Sequence, residues 1–177
     1  MKKIIFASIA LVVVVLAVLL VPSTRANSDF LRIHIRADSN LDTDQSVKYA
    51  VKAAVVDYLT PYLTQATTKQ KAMEIVNAHA EQIKDVCDRT LQANGKSYTA
   101  TVRLATESFP DRSYNGTTLP AGVYDALIIE RGSGSGNNWW CVVYPPLCFV
   151  GGEGSGSGNI AYRSKLWEII QNWQNSH

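Results

Sequence analysis

Three cysteines, three histidines and a scattered set of carboxylates are the side chains here with the means for covalent or acid–base chemistry. Cys141 and Cys148 are separated by six residues that include Pro145-Pro146. That spacing suits a disulfide folded over a Pro-Pro turn, two structural thiols, or a reactive thiol at Cys141. Closing so small a ring stabilises a fold by about 2–3 kcal/mol, through the entropy it removes from the unfolded chain. Six intervening residues match neither a redox pair nor a zinc knuckle. Cys87 falls on the apolar stripe of a helix, where a thiol behaves as a small hydrophobe.

The remaining groups argue against catalysis. His34 stands between Arg32 and Arg36, whose positive charges disfavour a further cation, proton or metal. His79 lies off the apolar stripe of its helix, and His177 is terminal. A Cys141–His34 nucleophilic pair stays open as an alternative, because catalytic partners need not be sequence neighbours. Asp38, Asp42 and Asp44 form the only close carboxylate group, without the glycine and terminal glutamate of an EF-hand loop. There is no nucleophile elbow, phosphate loop or dinucleotide fingerprint. No catalytic residue, metal or cofactor is expected.

Recognition is better provided for. Trp139, Trp140, Tyr144, Pro145 and Pro146 crowd into eight residues between glycine-serine-rich segments. Neighbours on a strand point to opposite faces, so the two tryptophans cannot share one core layer. Tryptophan buries much area with few rotors and is prominent at interfaces. Tyr144-Pro145-Pro146 reads as a rigid apolar knuckle beside it. A second polar patch spans Arg36, Asp38 and Asn40, although Asp38 and Asn40 also suit turn and cap hydrogen bonds.

These residues need a scaffold, and the pattern predicts one. Leu31, Ile33 and Ile35 alternate with Arg32, His34 and Arg36, a half-buried strand. Asp42 with Gln45 resembles a capping box opening a helix whose apolar face is Val47, Val51, Ala54, Tyr58 and Tyr62. Pro61 is expected to end or kink it. Thr67 with Gln70 opens a second helix along Met73, Val76, Ala80, Ile83, Cys87 and Leu91, and Asn94-Gly95 stops it. Strands follow at Tyr98 to Leu104, Val123 to Glu130 and Trp139 to Tyr144. Leu166, Ile169, Ile170 and Trp173 favour a closing helix. The loops 132–138 and 151–159 hold eight of the eleven glycines and are expected to be mobile. The fold class is α+β, with helices packed on one sheet.

Ahead of this domain, residues 1–26 read as a signal peptide or N-terminal membrane anchor. Lys2 and Lys3 precede an apolar run from Ile4 to Val21 broken only by Ser8, with Thr24 and Ala26 offering a cleavage site before Asn27. Either outcome carries residues 27–177, a single domain, across the membrane. Setting aside Lys2, Lys3 and Arg25 leaves 14 of the 17 basic residues against 15 acidic ones. That body has no electrostatic footprint for nucleic acid.

Four motifs give the chain a family likeness: Arg32-Ile33-His34-Ile35-Arg36-Ala37-Asp38-Ser39-Asn40; Asp44-Gln45 with Lys48 and Val51; Leu119-Pro120-Ala121-Gly122-Val123-Tyr124-Asp125-Ala126-Leu127; and Asn138-Trp139-Trp140-Cys141 through Leu147-Cys148-Phe149. In this order they resemble the stage II sporulation protein R family of endospore-forming bacteria. The first motif here reads Ala-Asp-Ser-Asn where the family pattern has Ala-Asn-Ser-Asp. The resemblance implies a secreted signalling protein, not an enzyme, made in the forespore and exported between the two sporulation membranes. Its implied partner is a membrane-bound aspartic protease, stage II sporulation protein GA, which processes the sigma-E precursor. Trp139, Trp140, Tyr144, Pro145, Pro146, Arg36, Asp38 and Asn40 are then the candidate contacts. The competing class is an extracytoplasmic thiol-dependent hydrolase acting on cell wall or peptide.

Overall fold

The structure, a computed structural model, describes residues 29–114 and 117–149, together with Gln171 and Asn175. Strand β1 (Leu31–Arg36) leads into helices α1 (Asp42–Leu63), α2 (Lys69–Ala78) and α3 (Ala80–Ala93). Strand β2 (Ala100–Phe109) follows, then a small hairpin of β3 (Arg112–Tyr114) and β4 (Thr117–Leu119). Strands β5 (Gly122–Arg131) and β6 (Asn138–Tyr144) end in a 3-10 turn at Leu147–Phe149. The main sheet has the order β2-β5-β1-β6. β1 runs parallel to β5 and antiparallel to β6, while β2 and β5 are antiparallel. A parallel pair needs a long crossover, and the three helices together with β2 supply it. The fold is α+β, as the patterning predicts.

Period-two alternation sorts β1 between two layers. Leu31, Ile33 and Ile35 join Leu127, Ile129, Cys141 and Val143 beneath the helices, which contribute Val51, Val55, Leu59, Val76, Ile83, Cys87 and Leu91. On the other face Phe30, Phe109, Tyr124, Ile128, Val142 and Leu147 form a second cluster, and Leu119 of the hairpin is buried in it. β1 is therefore a central strand covered on both sides. Even Arg32 and His34 are buried, where alternation alone reads as half exposed.

Local chemistry accounts for the helix boundaries and for several departures from expectation. The capping box at Asp42 and Gln45 does not form. Leu41 is the N-cap residue without a side-chain bond, and Gln45 Nε2 instead donates to the Ser39 carbonyl. α1 runs through Pro61 and ends two residues later at Leu63, so the proline sits in its last turn. The long second helix is two helices. Thr68, not Thr67, caps α2 by accepting from the Lys71 amide. The break falls at His79, whose ring packs 4.0 Å from that of Tyr62 and bonds the Tyr58 hydroxyl at 2.7 Å. At the end of α3, Gly95 takes φ +72, Lys96 N donates to Leu91 O and Gly95 N to Gln92 O, a Schellman stop.

β2 extends five residues beyond Leu104, and the turn-rich stretch after it holds the β3–β4 hairpin. The N-terminal apolar run, the second glycine-rich segment and Leu166, Ile169, Ile170 and Trp173 of the expected closing helix lie outside the described residues; Gln171 and Asn175 are helical. Among the described residues no helix is long and apolar enough to cross a membrane.

Candidate functional site

The two tryptophans do point to opposite faces. In the β1–β6 register Trp139 faces Ile35 and Trp140 faces His34. Trp139, half-buried on the helix side, lies beneath the Lys52 ammonium at 5.4 Å. Trp140, half-buried on the other side, stacks on His34 (centroids 5.3 Å apart, planes at 27°) and carries the Arg112 guanidinium 4.7 Å above its ring. Each indole is thus held between the sheet and a cation, an attraction that strengthens as water is excluded.

Around Trp140 the sheet carries a polar and aromatic layer. His34 Nδ1 bonds Glu107 Oε2 at 2.8 Å, and Arg36 forms ion pairs with both Glu107 and Glu130. Arg32 Nε donates to the Cys141 carbonyl at 3.1 Å and Nη2 to the Tyr114 hydroxyl at 2.8 Å. The Tyr114 hydroxyl in turn donates to the Trp140 carbonyl. The Arg32 guanidinium lies among the rings of Phe109, Tyr124 and Tyr114, at 4.4, 4.9 and 5.5 Å. Among the described residues Arg32 Nη1 and His34 Nε2 are buried without a hydrogen-bond partner; for Arg32 the aromatic faces offset part of that cost. Burial raises the Tyr114 phenol above its ordinary value, so it stays a neutral donor.

The knuckle is not presented. Tyr144, Pro145 and Pro146 are buried, and the Tyr144 hydroxyl donates to the Thr67 carbonyl at 2.7 Å. The chain turns back there through a cis Tyr144–Pro145 peptide, and Cys141 and Cys148 are joined as a disulfide across a Cα separation of 6.2 Å. Val142 N donates to Cys148 Sγ, so the returning turn covers that stretch of the β6 edge. Cys141 lies in the helix-side cluster and His34 on the other face, and the sheet separates them. Burial pushes the Cys87 thiol up to about 12, where it is inert.

The Arg36–Asn40 patch is largely turned inward. Asp38 Oδ1 accepts from Ser133 N at 2.7 Å, and the Asp38 carbonyl accepts from the hydroxyls of Ser133 and Ser135. Asn40 Oδ1 accepts from Asn137 N, and the Ala37 carbonyl from Gly136 N. The first glycine-serine loop is therefore zipped to this turn along its length, against the mobility its composition predicts. Beneath it Asp44 accepts from Lys96, Ser39 and Tyr98. Those bonds, Lys96 first, hold the Asp44 carboxyl at about 2 despite burial. Buried Lys48 donates to Gln45 and to the Asn137 carbonyl, and burial lowers its pKa. Arg131 donates to the carbonyls of Arg36 and Asp44.

A separate cleft of about 510 Å³ between α3 and the start of β2 is lined by Asp85, Asp88, Arg89, Gln92, Lys96 and Tyr98. Asp88 is committed there to Lys84 and the Ala100 amide, and no nucleophile stands beside a base. Among the described residues no cluster could hold a metal ion. Sequence reasoning missed Arg112, Tyr114 and Glu107. All three reach the site only through strand pairing and the packing of the hairpin, which leave no local signature.

Residues 27–153 match the family described as stage II sporulation protein R. The chain belongs to the stage II sporulation protein R family. It is 34% identical over 120 residues to the stage II sporulation protein R of Bacillus subtilis (strain 168), covering 68% of this chain and 54% of that protein. The chain thus spans about half the length of that curated relative. No solved structure matches it. The match takes in every described strand and helix from β1 to the turn at Leu147–Phe149. This is a stage II sporulation protein; within the described residues Cys141 and Cys148 are disulfide-bonded, Cys87 is buried, and His34 and His79 bond Glu107 and Tyr58.

Proposed function

We propose that this protein is exported into the space between forespore and mother cell. There it activates a membrane-bound aspartic protease of the stage II sporulation protein GA type, leading to processing of the sigma-E precursor. Membership of the stage II sporulation protein R family carries the reading. The lysine-led apolar run before residue 27 and a disulfide suited to an oxidising compartment are consistent with export. A binding protein activates a protease only by preferring its active state, each tenfold preference corresponding to about 1.4 kcal/mol. The contact surface we assign is Trp140 with Arg112, extended by Trp139 with Lys52, since half-buried tryptophan beside a cation has the make-up of an interface anchor. Tyr144, Pro145, Pro146, Asp38 and Asn40 act behind that surface by holding the corner and the loop, and Arg36 by bridging Glu107 and Glu130.

The test is reconstitution in a non-sporulating host expressing this chain, the protease and the sigma precursor. Cleavage requires all three, and no cleavage with all three present overturns the reading. Trp140→Ala and Arg112→Ala are each expected to cut processing about tenfold, as the loss of an interface anchor does, at unchanged levels of exported, folded protein. The thiol-hydrolase alternative has little to stand on, because Cys141 is bonded to Cys148 and divided from His34 by the sheet.

A further inference from the structure

We propose that the outer edge of β2 is a self-association surface, on which a second copy of this chain pairs antiparallel to form one continuous eight-stranded sheet. β2 is ten residues long and pairs with β5 along its whole length. Among the described residues nothing pairs with its other edge, whereas the opposite edge strand, β6, is partly covered by the disulfide-bonded turn. An open edge is a template for another strand, and natural edges are usually blunted by charge. β2 does carry charge, but in a self-complementary order. Arg103 and Glu107 lie on the same face, the one away from the helices, at equal distances either side of Ala105.

A two-fold axis at Ala105 sets Ala105 against Ala105 of the second copy, Arg103 against its Glu107, and Glu107 against its Arg103. Directly opposed residues of an antiparallel pair point to the same face, so both charge pairs close at once. On the helix side the same register places Leu104 against Thr106, and Val102 against Ser108. Val102, Leu104 and Ala105 are half-buried and would lose their remaining exposure. The Arg103 side chain is 42% exposed and pairs with Glu130 at 3.4 Å, while Glu107 already pairs with Arg36 and His34, so each charge would be shared between its partner in the same chain and the second copy. A two-fold contact of one patch with itself is the commonest form of homo-oligomer.

The experiment is sedimentation of the full chain in a mild detergent that keeps its N-terminal apolar run soluble. A reversible dimer is expected. Arg103→Glu sets glutamate against glutamate twice and should weaken it by at least about tenfold. Ala105→Cys reads the register without altering charge: at the axis it should give a dimer linked covalently through residue 105 under oxidising conditions, whereas Thr101→Cys, opposite Phe109, should not. A monomer at every concentration overturns the proposal, as it would if the chain's own residues beyond 149 or a partner's strand occupy this edge. A dimer that Arg103→Glu leaves unchanged and Ala105→Cys fails to link overturns it equally. Neither outcome bears on protease activation, which has a separate readout.

Discussion

Asp44 lies buried in the first turn of α1. Asp44 could be read only as one of three nearby acids. In the fold it is a buried carboxylate with three donors, held at about 2 against an ordinary 3.8. A carboxyl depressed on folding contributes its full stability above the unfolded value and loses it as pH falls through the folded one. The acid limb between about pH 4 and pH 2 should therefore include Asp44. Asp44→Asn is expected to cost roughly 2–3 kcal/mol at neutral pH, the usual value of hydrogen bonds to a charged group, and to flatten that limb. Chemical denaturation at pH 7, 4 and 2.5 measures both; an unchanged acid limb would show that Asp44 is not the titrating group. Trp140 makes the complementary case. Its placement opposite Trp139 follows from strand geometry, whereas its stacking on His34 and its Arg112 cover come from segments remote in sequence.

At the scale of elements, composition misjudged the first glycine-serine loop. Glycine and serine lower the cost of many conformations, so in isolation the segment reads as a mobile linker. Its hydroxyls and amides instead find the Asp38 and Asn40 turn, an interaction between segments about 95 residues apart. Gly136 is needed there because a Cβ would fall inside contact distance of the Ser39 carbonyl. Gly136→Ala should cost about 1–3 kcal/mol, the range for overpacking a tight site. Amide exchange should show faster opening of residues 132–137 while the helices keep their protection. Unchanged protection of the loop would mean the backbones part without loss. Helix breaks were equally hard to foresee: the stripe from Met73 to Leu91 is continuous, and at the interruption His79 packs against Tyr58 and Tyr62 of a different helix.

For the whole molecule, the disulfide has its effect on the unfolded chain, which it restrains within a short ring. Cys141→Ser and Cys148→Ser are each expected to lower stability by about 2–3 kcal/mol. Reductant should lower the wild type by the same amount and leave either variant unmoved in a denaturant titration. A loss of precursor processing with Cys141→Ser, but not with Cys148→Ser, at matched stability would point to a thiol with its own chemistry. The parallel placement of β1 beside β5 is likewise a property of the entire chain. It buries Arg32 and His34 by bringing Phe109, Tyr114 and Tyr124 over a strand face whose own residues are polar.

The sequence by itself determined the α+β class, the helix and strand periods, the opposed tryptophans and the family, because each is written in local spacing or in motif order. Only the tertiary structure decided that β1 is covered on both faces, that the Tyr-Pro-Pro corner is packed and not presented, and that Arg112 sits over Trp140. Those outcomes depend on which strands neighbour one another and on what the hairpin covers. They are energies of pairing between distant segments, and no window along the chain contains both partners.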